Sequence, residues 1–173
     1  MYNKILVPLD GSEFSECSLP HMKAIVSGCN VTEVILFRVV EPLSSNTIGA
    51  LELSRGNFHP RGELPGTSIY DNADYPDHVS EIIGKTRSEA TAYISKMVQK
   101  MAKENITARG EVGYGKAADE IIDYSEKNNI DLIIMSTHGR GVSHWAIGSV
   151  ADRVARASTT PVLLVSPASC KIG

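Results

Sequence analysis

The amino-acid sequence predicts an α/β fold, a Rossmann-like three-layer sandwich with a five-stranded parallel sheet and helices on both faces. Short apolar runs, typical of strands buried on both sides, alternate along the chain with amphipathic segments of helical period. The resulting order is β-α-β-α-β-α-β-α-β. Alternation of this kind favours parallel strands joined by right-handed crossovers.

Five segments are predicted as strands: residues 4–9, 33–42, 106–113, 130–136 and 160–167. The third is the most polar and is predicted to lie near an edge of the sheet. Parallel sheets bind ligands beyond the carboxyl ends of their strands, where the winding direction switches. The loops that follow the strands are therefore the places to search for a site.

The first helix is predicted to be continuous, to begin at the cap residue Ser12 and to end at Gly28. Phe14 and Leu19 are among its apolar positions, and Pro20 is expected to bend it. Three further helices are predicted over residues 78–105, 116–129 and 148–158, the first of them long and amphipathic.

Composition excludes several classes of partner. The chain has 173 residues, 42% of them hydrophobic, and a formal net charge of -3. That charge provides no general attraction to nucleic acid or anionic membrane, and no apolar run approaches the roughly 18 residues of a membrane span. Three cysteines without a CxxC pair and an N-terminus without signal-peptide character predict a reduced, cytoplasmic protein.

One domain over residues 1–173 is predicted, interrupted by a flexible insertion at about residues 44–77. The insertion is rich in Gly, Pro, Ser and Asn, which is unusual for a long connection inside a compact domain. Either a lid over a site or an arm that docks a partner fits this composition.

Two glycine-rich stretches resemble nucleotide motifs but lack the required context. "GEVGYGKA" (110–117) nearly matches a P-loop, yet Ala117 replaces the magnesium-binding hydroxyl and Gly110 falls inside a predicted strand. "GYGKAA" (113–118) matches a dinucleotide fingerprint. Its acidic partner should end the next strand, whereas Asp131 begins it.

A third stretch, "STHGRGVSHWAIGS" (136–149), is the stronger phosphate candidate. Gly139 frees the backbone after the fourth strand, and Gly148 and Ser149 open the last helix, whose unpaired amides attract anions. The alternative is that Gly148 and Ser149 only cap the helix. Asp10, at the end of the first strand, is placed to accept hydrogen bonds from a ribose, or else to cap a helix.

His138 and Arg140 are candidate phosphate contacts in the same loop, since a guanidinium neutralises phosphate and an imidazole donates to it. The alternatives are a His138 ring bonded locally and an Arg140 side chain in solvent. No nucleophile–base–acid set is evident, so efficient hydrolysis is not predicted, and no metal site is assigned.

The residues that carry these features resemble the universal stress protein family. The motifs are "KILVPLDGSEFS", "VILFRVVEP" and "DLIIMSTHGRGVSHWAIGSVADRVARASTTPVLLV", and together with the segments between them they cover nearly all of the chain outside the insertion. The resemblance implies an adenine nucleotide alpha hydrolase-like sheet of order 3-2-1-4-5. It also implies a homodimer through the last strand, residues 161–165.

By the same resemblance the chain is expected to be a stress-response sensor or switch that binds ATP, or AMP or ADP. Whether Mg²⁺ accompanies the nucleotide is left open. Pro8, Leu9, Asp10 and Val39 would line the adenosine pocket. Met135, Ser136 and Gly139 would follow the ribose and first phosphates, and Gly148, Ser149 and Val150 the outer phosphates. The signalling partner is unknown.

Two departures from the family motif stand in this loop. Ser136 occupies the place of the first glycine, and eight residues, rather than nine, separate Gly139 from Gly148. They motivate an alternative, an interaction module of the same fold that binds no nucleotide. A slow ATPase using Arg140 and a metal is a third hypothesis.

Overall fold

The computed structural model describes residues 2–43, 77–138 and 147–166, and these residues form one five-stranded parallel sheet with helices on both faces. Its strands are β1 (Lys4–Pro8), β2 (Glu33–Val40), β3 (Ala108–Tyr114), β4 (Leu132–Ser136) and β5 (Val162–Val165). Its helices are α1 (Glu13–Glu16), α2 (Ser18–Gly28), α3 (Asp77–Lys103), α4 (Ala117–Lys127) and α5 (Ser149–Ala157).

The strand order is β3-β2-β1-β4-β5, as the family resemblance implies, with every neighbouring pair parallel. The polar third strand lies at an edge, which confirms its prediction. The winding direction reverses between β1 and β4, where Ile5 pairs with Leu132 and Leu6 with Ile133. This reversal leaves a crevice at the carboxyl ends of the two strands.

Alternate side chains of the central strands divide the core into two layers. Val7 and Leu36 face the layer that α2 and α3 cover, where Met101 is fully buried. Leu6 and Ile35 face the layer that α4 and α5 cover. The near-continuous apolar runs are thus explained, because both faces of the sheet exclude water.

The predicted first helix is two helices in the structure, with a break at Cys17. The break places Pro20 in the first turn of α2, where its missing N–H has no helical partner to lose. Ser12 caps α1 as predicted, its hydroxyl accepting from Ser15 N at 3.2 Å. Of the predicted apolar positions, Leu19 is buried, whereas Phe14 is 39% exposed.

Cys17 is disulfide-bonded, whereas Cys29 is a free thiol. The prediction of a fully reduced chain is therefore wrong for Cys17. Spacing along the sequence does not reveal which cysteines a fold brings together.

The predicted insertion lies outside the described residues except for Asp77, which begins α3. In the parts of the chain that the structure does describe, no helix combines the length and apolar character needed to cross a membrane.

Candidate functional site

A cavity of about 440 Å³ opens at the carboxyl ends of β1 and β4. Residues from both ends of the chain line it, together with the end of β2 and the starts of α4 and α5. They are Pro8, Leu9, Asp10, Ser15, Phe37, Val39, Ala117, Ile121, Met135, Ser136, Thr137, His138, Ile147, Gly148, Ser149, Val150 and Ala151.

Ten of the twelve residues predicted as ligand contacts line this one cavity. They are Pro8, Leu9, Asp10, Val39, Met135, Ser136, His138, Gly148, Ser149 and Val150. The other two, Gly139 and Arg140, lie outside the described residues. The expected meeting of the first and fourth strand ends rests on the β1–β4 pairing, which the structure has.

One side of the cavity is apolar and belongs to the core layer under α4 and α5. Val39, Ile121 and Met135 contribute aliphatic surface to it. The Phe37 ring lies 4.6 Å from the Tyr124 ring, centroid to centroid, at a 32° tilt, and is almost fully buried. This side offers a planar, uncharged ligand group a surface on which to pack.

Asp10 begins a tight turn at the mouth of the cavity. Its Oδ1 accepts from Ser12 N at 2.9 Å and from Ser12 Oγ at 2.5 Å, while Gly11 supplies the left-handed conformation with φ of 83°. Asp10 N donates to Ser15 Oγ at 3.3 Å. The carboxylate is thus held at the cavity wall, and the cap of α1 is Ser12 rather than Asp10. The ribose contact at Asp10 stays a prediction.

The end of β4 forms a short polar segment. Ser136 Oγ accepts from His138 N at 3.3 Å, and Thr137 Oγ1 lies 2.8 Å from His138 Nδ1. The local bond expected for the His138 ring therefore exists, although its partner is a side chain rather than the backbone. His138 Nε2 is buried and has no hydrogen-bond partner in the structure as described.

The start of α5 is fastened to the end of β4. Gly148 N donates to Thr137 O at 2.7 Å, and a Cβ on Gly148 would lie 3.2 Å from the same oxygen. Gly148 thus permits a close backbone approach as well as opening the helix. No described side chain caps the first turn of α5, so no described cap competes with a ligand for the backbone amides of that turn.

The described lining carries little formal charge. Asp10 is its one carboxylate, and neither Lys nor Arg is among the described lining residues. Among the described residues, the groups that this cavity offers to an anion are the start of α5, backbone amides and hydroxyls. Hydroxyl groups at Ser136 and Ser149 lie at this end of the cavity.

The structure removes the other two glycine motifs as sites. Gly110 and Gly113 both lie inside β3, paired with Leu36 and Val39, so neither belongs to a phosphate-binding loop. The first amide of α4, Ala117 N, donates to Glu41 Oε1 at 3.0 Å, which puts a carboxylate where a phosphate would bind.

Seven lining residues were not predicted: Ser15, Phe37, Ala117, Ile121, Thr137, Ile147 and Ala151. Most have no chemical signature, since an apolar residue at a strand end reads the same whether it fills the core or borders a cavity. Thr137 and Ile147 had a usable indication, because each adjoins a predicted contact at the edge of the glycine loop.

Comparisons with known proteins agree with this architecture. The universal stress protein family model matches residues 1–166. Universal stress protein MJ0531 of Methanocaldococcus jannaschii is 30% identical over 167 residues, covering 95% of this chain and 82% of the relative. Universal stress protein MJ0577 of the same archaeon is 28% identical over 166 residues, covering 95% of each chain.

The solved structure of MJ0577 superposes with a TM-score of 0.71 at 26% identity, covering 96% of each chain. A universal stress protein family protein from Arabidopsis thaliana, solved with AMP bound, has a TM-score of 0.59 at 12% identity over 95% of this chain and 91% of its own. A universal stress protein solved in complex with cAMP has the same TM-score at 18% identity, covering 95% of this chain and 97% of its own. The last two likenesses show the fold alone. The match of the family model to nearly the whole chain establishes that this chain belongs to the universal stress protein family.

Proposed function

We propose that this chain binds an adenine nucleotide, ATP or its mono- or diphosphate, in the cavity between β1 and β4. It would act in the stress response as a sensor or switch rather than as a fast enzyme. The observation that supports the proposal is the cavity itself. Its lining combines an apolar wall, the Asp10 carboxylate held by a tight turn, and the start of α5.

Each part of a nucleotide has a counterpart in the lining. The apolar side, with Phe37, Val39 and Ile121, suits the adenine ring. Asp10 is an acceptor for ribose hydroxyls, and the first turn of α5 supplies amides for phosphate. Bound AMP and bound cAMP in two proteins of this fold support an adenine ligand.

A magnesium ion enters the proposal only as the companion of ATP phosphates. Within the described residues, no group of three or more His, Cys, Asp or Glu side chains could hold a metal by itself. Phosphate oxygens would therefore be the principal ligands of the ion.

Calorimetric titration with ATP, ADP, AMP and GTP tests the proposal, with the thermal midpoint as a second readout. We expect saturable heat and a higher midpoint with adenine nucleotides, because a ligand that binds only the native state stabilises it. Absence of both at millimolar ATP with Mg²⁺ would refute the proposal.

Asp10→Asn provides the matched variant. Asparagine keeps one oxygen that accepts from Ser12 but replaces the second carboxylate oxygen with a donor. We expect adenine nucleotide binding to weaken about tenfold, the loss of one charged hydrogen bond. Asp123→Asn, an exposed residue on α4 paired with Lys127, is the control that leaves affinity unchanged.

The second candidate is an interaction module that binds no nucleotide. The buried Ser136 at the first motif position and the eight-residue spacing between Gly139 and Gly148 favour it. ATP or AMP released from the purified protein on denaturation would refute it. The homodimer through β5, an unidentified signalling partner and a cytoplasmic location remain proposals alongside either function.

A further inference from the structure

Ser136 is the last residue of β4 and is only 6% exposed, yet it lines the cavity. It pairs with Val165 in the sheet, so the ladder with β5 fixes its backbone. A polar side chain this well buried needs hydrogen-bond partners, because the interior does not replace the water that it loses.

The Ser136 hydroxyl is half satisfied. Its oxygen accepts from His138 N at 3.3 Å, the serine turn that follows a strand end. A hydroxyl also has one proton to donate. No described residue accepts that proton from Ser136, whereas the neighbouring Thr137 hydroxyl lies within 3.3 Å of Val165 O.

The surroundings favour an anionic acceptor for this proton. The next residue, Thr137, accepts from Gly148 N at 2.7 Å, which fastens the α5 start to the end of β4. The first turn of α5, which no described side chain caps, and the Ser136 hydroxyl, whose proton no described residue accepts, both border the cavity. Donors gathered at a helix start suit a phosphate group.

We propose that the Ser136 hydroxyl donates to a phosphate group of the bound nucleotide and makes this site prefer nucleotides over nucleosides. The inference rests on the proposed function. The residue that replaces the first glycine of the motif would then add a ligand contact instead of only narrowing the cavity.

The opposing account is steric: the Cβ and hydroxyl of Ser136 would obstruct the ligand. The two accounts predict opposite results for glycine. If Ser136 donates, Ser136→Ala and Ser136→Gly both weaken AMP binding, and Ser136→Thr, which retains a hydroxyl, restores part of it. If Ser136 obstructs, Ser136→Gly strengthens AMP binding.

The experiment is calorimetric titration of the full chain with AMP and, separately, with adenosine. For Ser136→Ala we expect AMP affinity to fall about tenfold, the loss of one charge-assisted hydrogen bond, while adenosine affinity changes less than about twofold. Ser125→Ala is the control, because Ser125 is also buried but is not among the residues that line the cavity, and its hydroxyl donates to Ile122 O at 2.7 Å.

Equal AMP affinity in wild type and Ser136→Ala would overturn the inference, as would tighter binding by Ser136→Gly or an equal loss for adenosine. In each case the proposed function would stand, because the wild type still binds. A wild-type chain that binds neither AMP nor adenosine, nor any other adenine nucleotide, would overturn the proposed function and this inference with it.

Discussion

Asp131 shows how one carboxylate stabilises the end of the sheet opposite the cavity. Its Oδ2 accepts from Asn3 N at 2.8 Å and from Lys4 N at 2.9 Å, joining the start of β1 to the start of β4. The backbone amides of Lys4 and Asn3 hold the pKa of Asp131 below its usual value. A structural role of this kind also explains why Asp131 is no ribose contact.

Asp131→Ala is expected to lower the free energy of unfolding by about 1 kcal/mol at pH 7, because two amides lose a charged acceptor that is partly exposed to water. Because the pKa of Asp131 is lower in the folded than in the unfolded chain, its carboxylate contributes fully to stability above the unfolded-state pKa of about 3.9. This contribution is lost as the pH falls through the folded-state pKa. Urea unfolding at pH 7 and at successively lower pH checks this. The stability difference between the wild type and Asp131→Ala should shrink as the pH falls, and a difference that stays constant would contradict the prediction. Asp123→Ala, which removes an exposed carboxylate on α4, is the control variant.

Single residues were predictable where their type carries chemistry. Asp10 was predicted because an acidic residue ends the first strand, and Gly148 and Ser149 because a Gly-Ser pair begins the last helix. All three residues line the cavity. Phe37 and Ile121 do not follow, because packing in three dimensions alone separates a cavity wall from a core position. Gly148 begins the last helix as predicted. Its hydrogen bond to Thr137 O could not be predicted, because it depends on how the folded backbone brings the two residues together.

Elements were predictable where burial is strongest. The central strands have apolar side chains on both faces, so they are short, continuous apolar runs typical of strands in a parallel sheet. The break at Cys17 was missed because periodicity continues across it, and the proline that suggested a bend lies inside a tolerated first turn. The distance between a helix and the sheet also cannot be predicted from the sequence. In the structure, a glycine at a helix–sheet contact indicates that the two elements approach closely there.

Two glycines, one in α3 and one in β3, differ in how much space surrounds them. A Cβ on Gly84, in α3, would meet no atom within 4 Å, so Gly84→Ala should raise the free energy of unfolding by about 0.5–1 kcal/mol through helix propensity. A Cβ on Gly110, in β3, would lie 2.2 Å from Ile94 Cγ2. Gly110→Ala should therefore cost about 1–3 kcal/mol by forcing α3 away from the sheet.

Urea denaturation of both variants beside the wild type measures the two effects, and each variant is the control for the other. A Gly110→Ala variant as stable as the wild type would contradict the expected close contact between α3 and β3. A Gly84→Ala variant less stable than the wild type would contradict the expected gain in helix propensity.

The parallel sheet brings two distant parts of the chain to one site. Asp10 and Ser136 are separated by more than a hundred residues in sequence but lie at the carboxyl ends of neighbouring strands. The sheet also leaves β5 as an edge. Val162, Leu163 and Leu164 are only half buried there, and such an edge invites pairing with another strand.

We therefore predict that a homodimer forms through β5 and that Val162→Lys shifts it toward monomer, because like charges would face each other across the pair. Sedimentation equilibrium over a range of concentrations measures the change, expected to be about tenfold or more in the dimer dissociation constant. Ser95→Lys adds the same charge on an exposed position of α3, which packs over β2 and β3, and should leave the dimer intact. A monomeric wild type, or equal dissociation of the two variants, would exclude β5 as the interface. Unchanged circular dichroism of Val162→Lys would show that the monomer is folded, so that loss of the dimer reports on the edge strand itself.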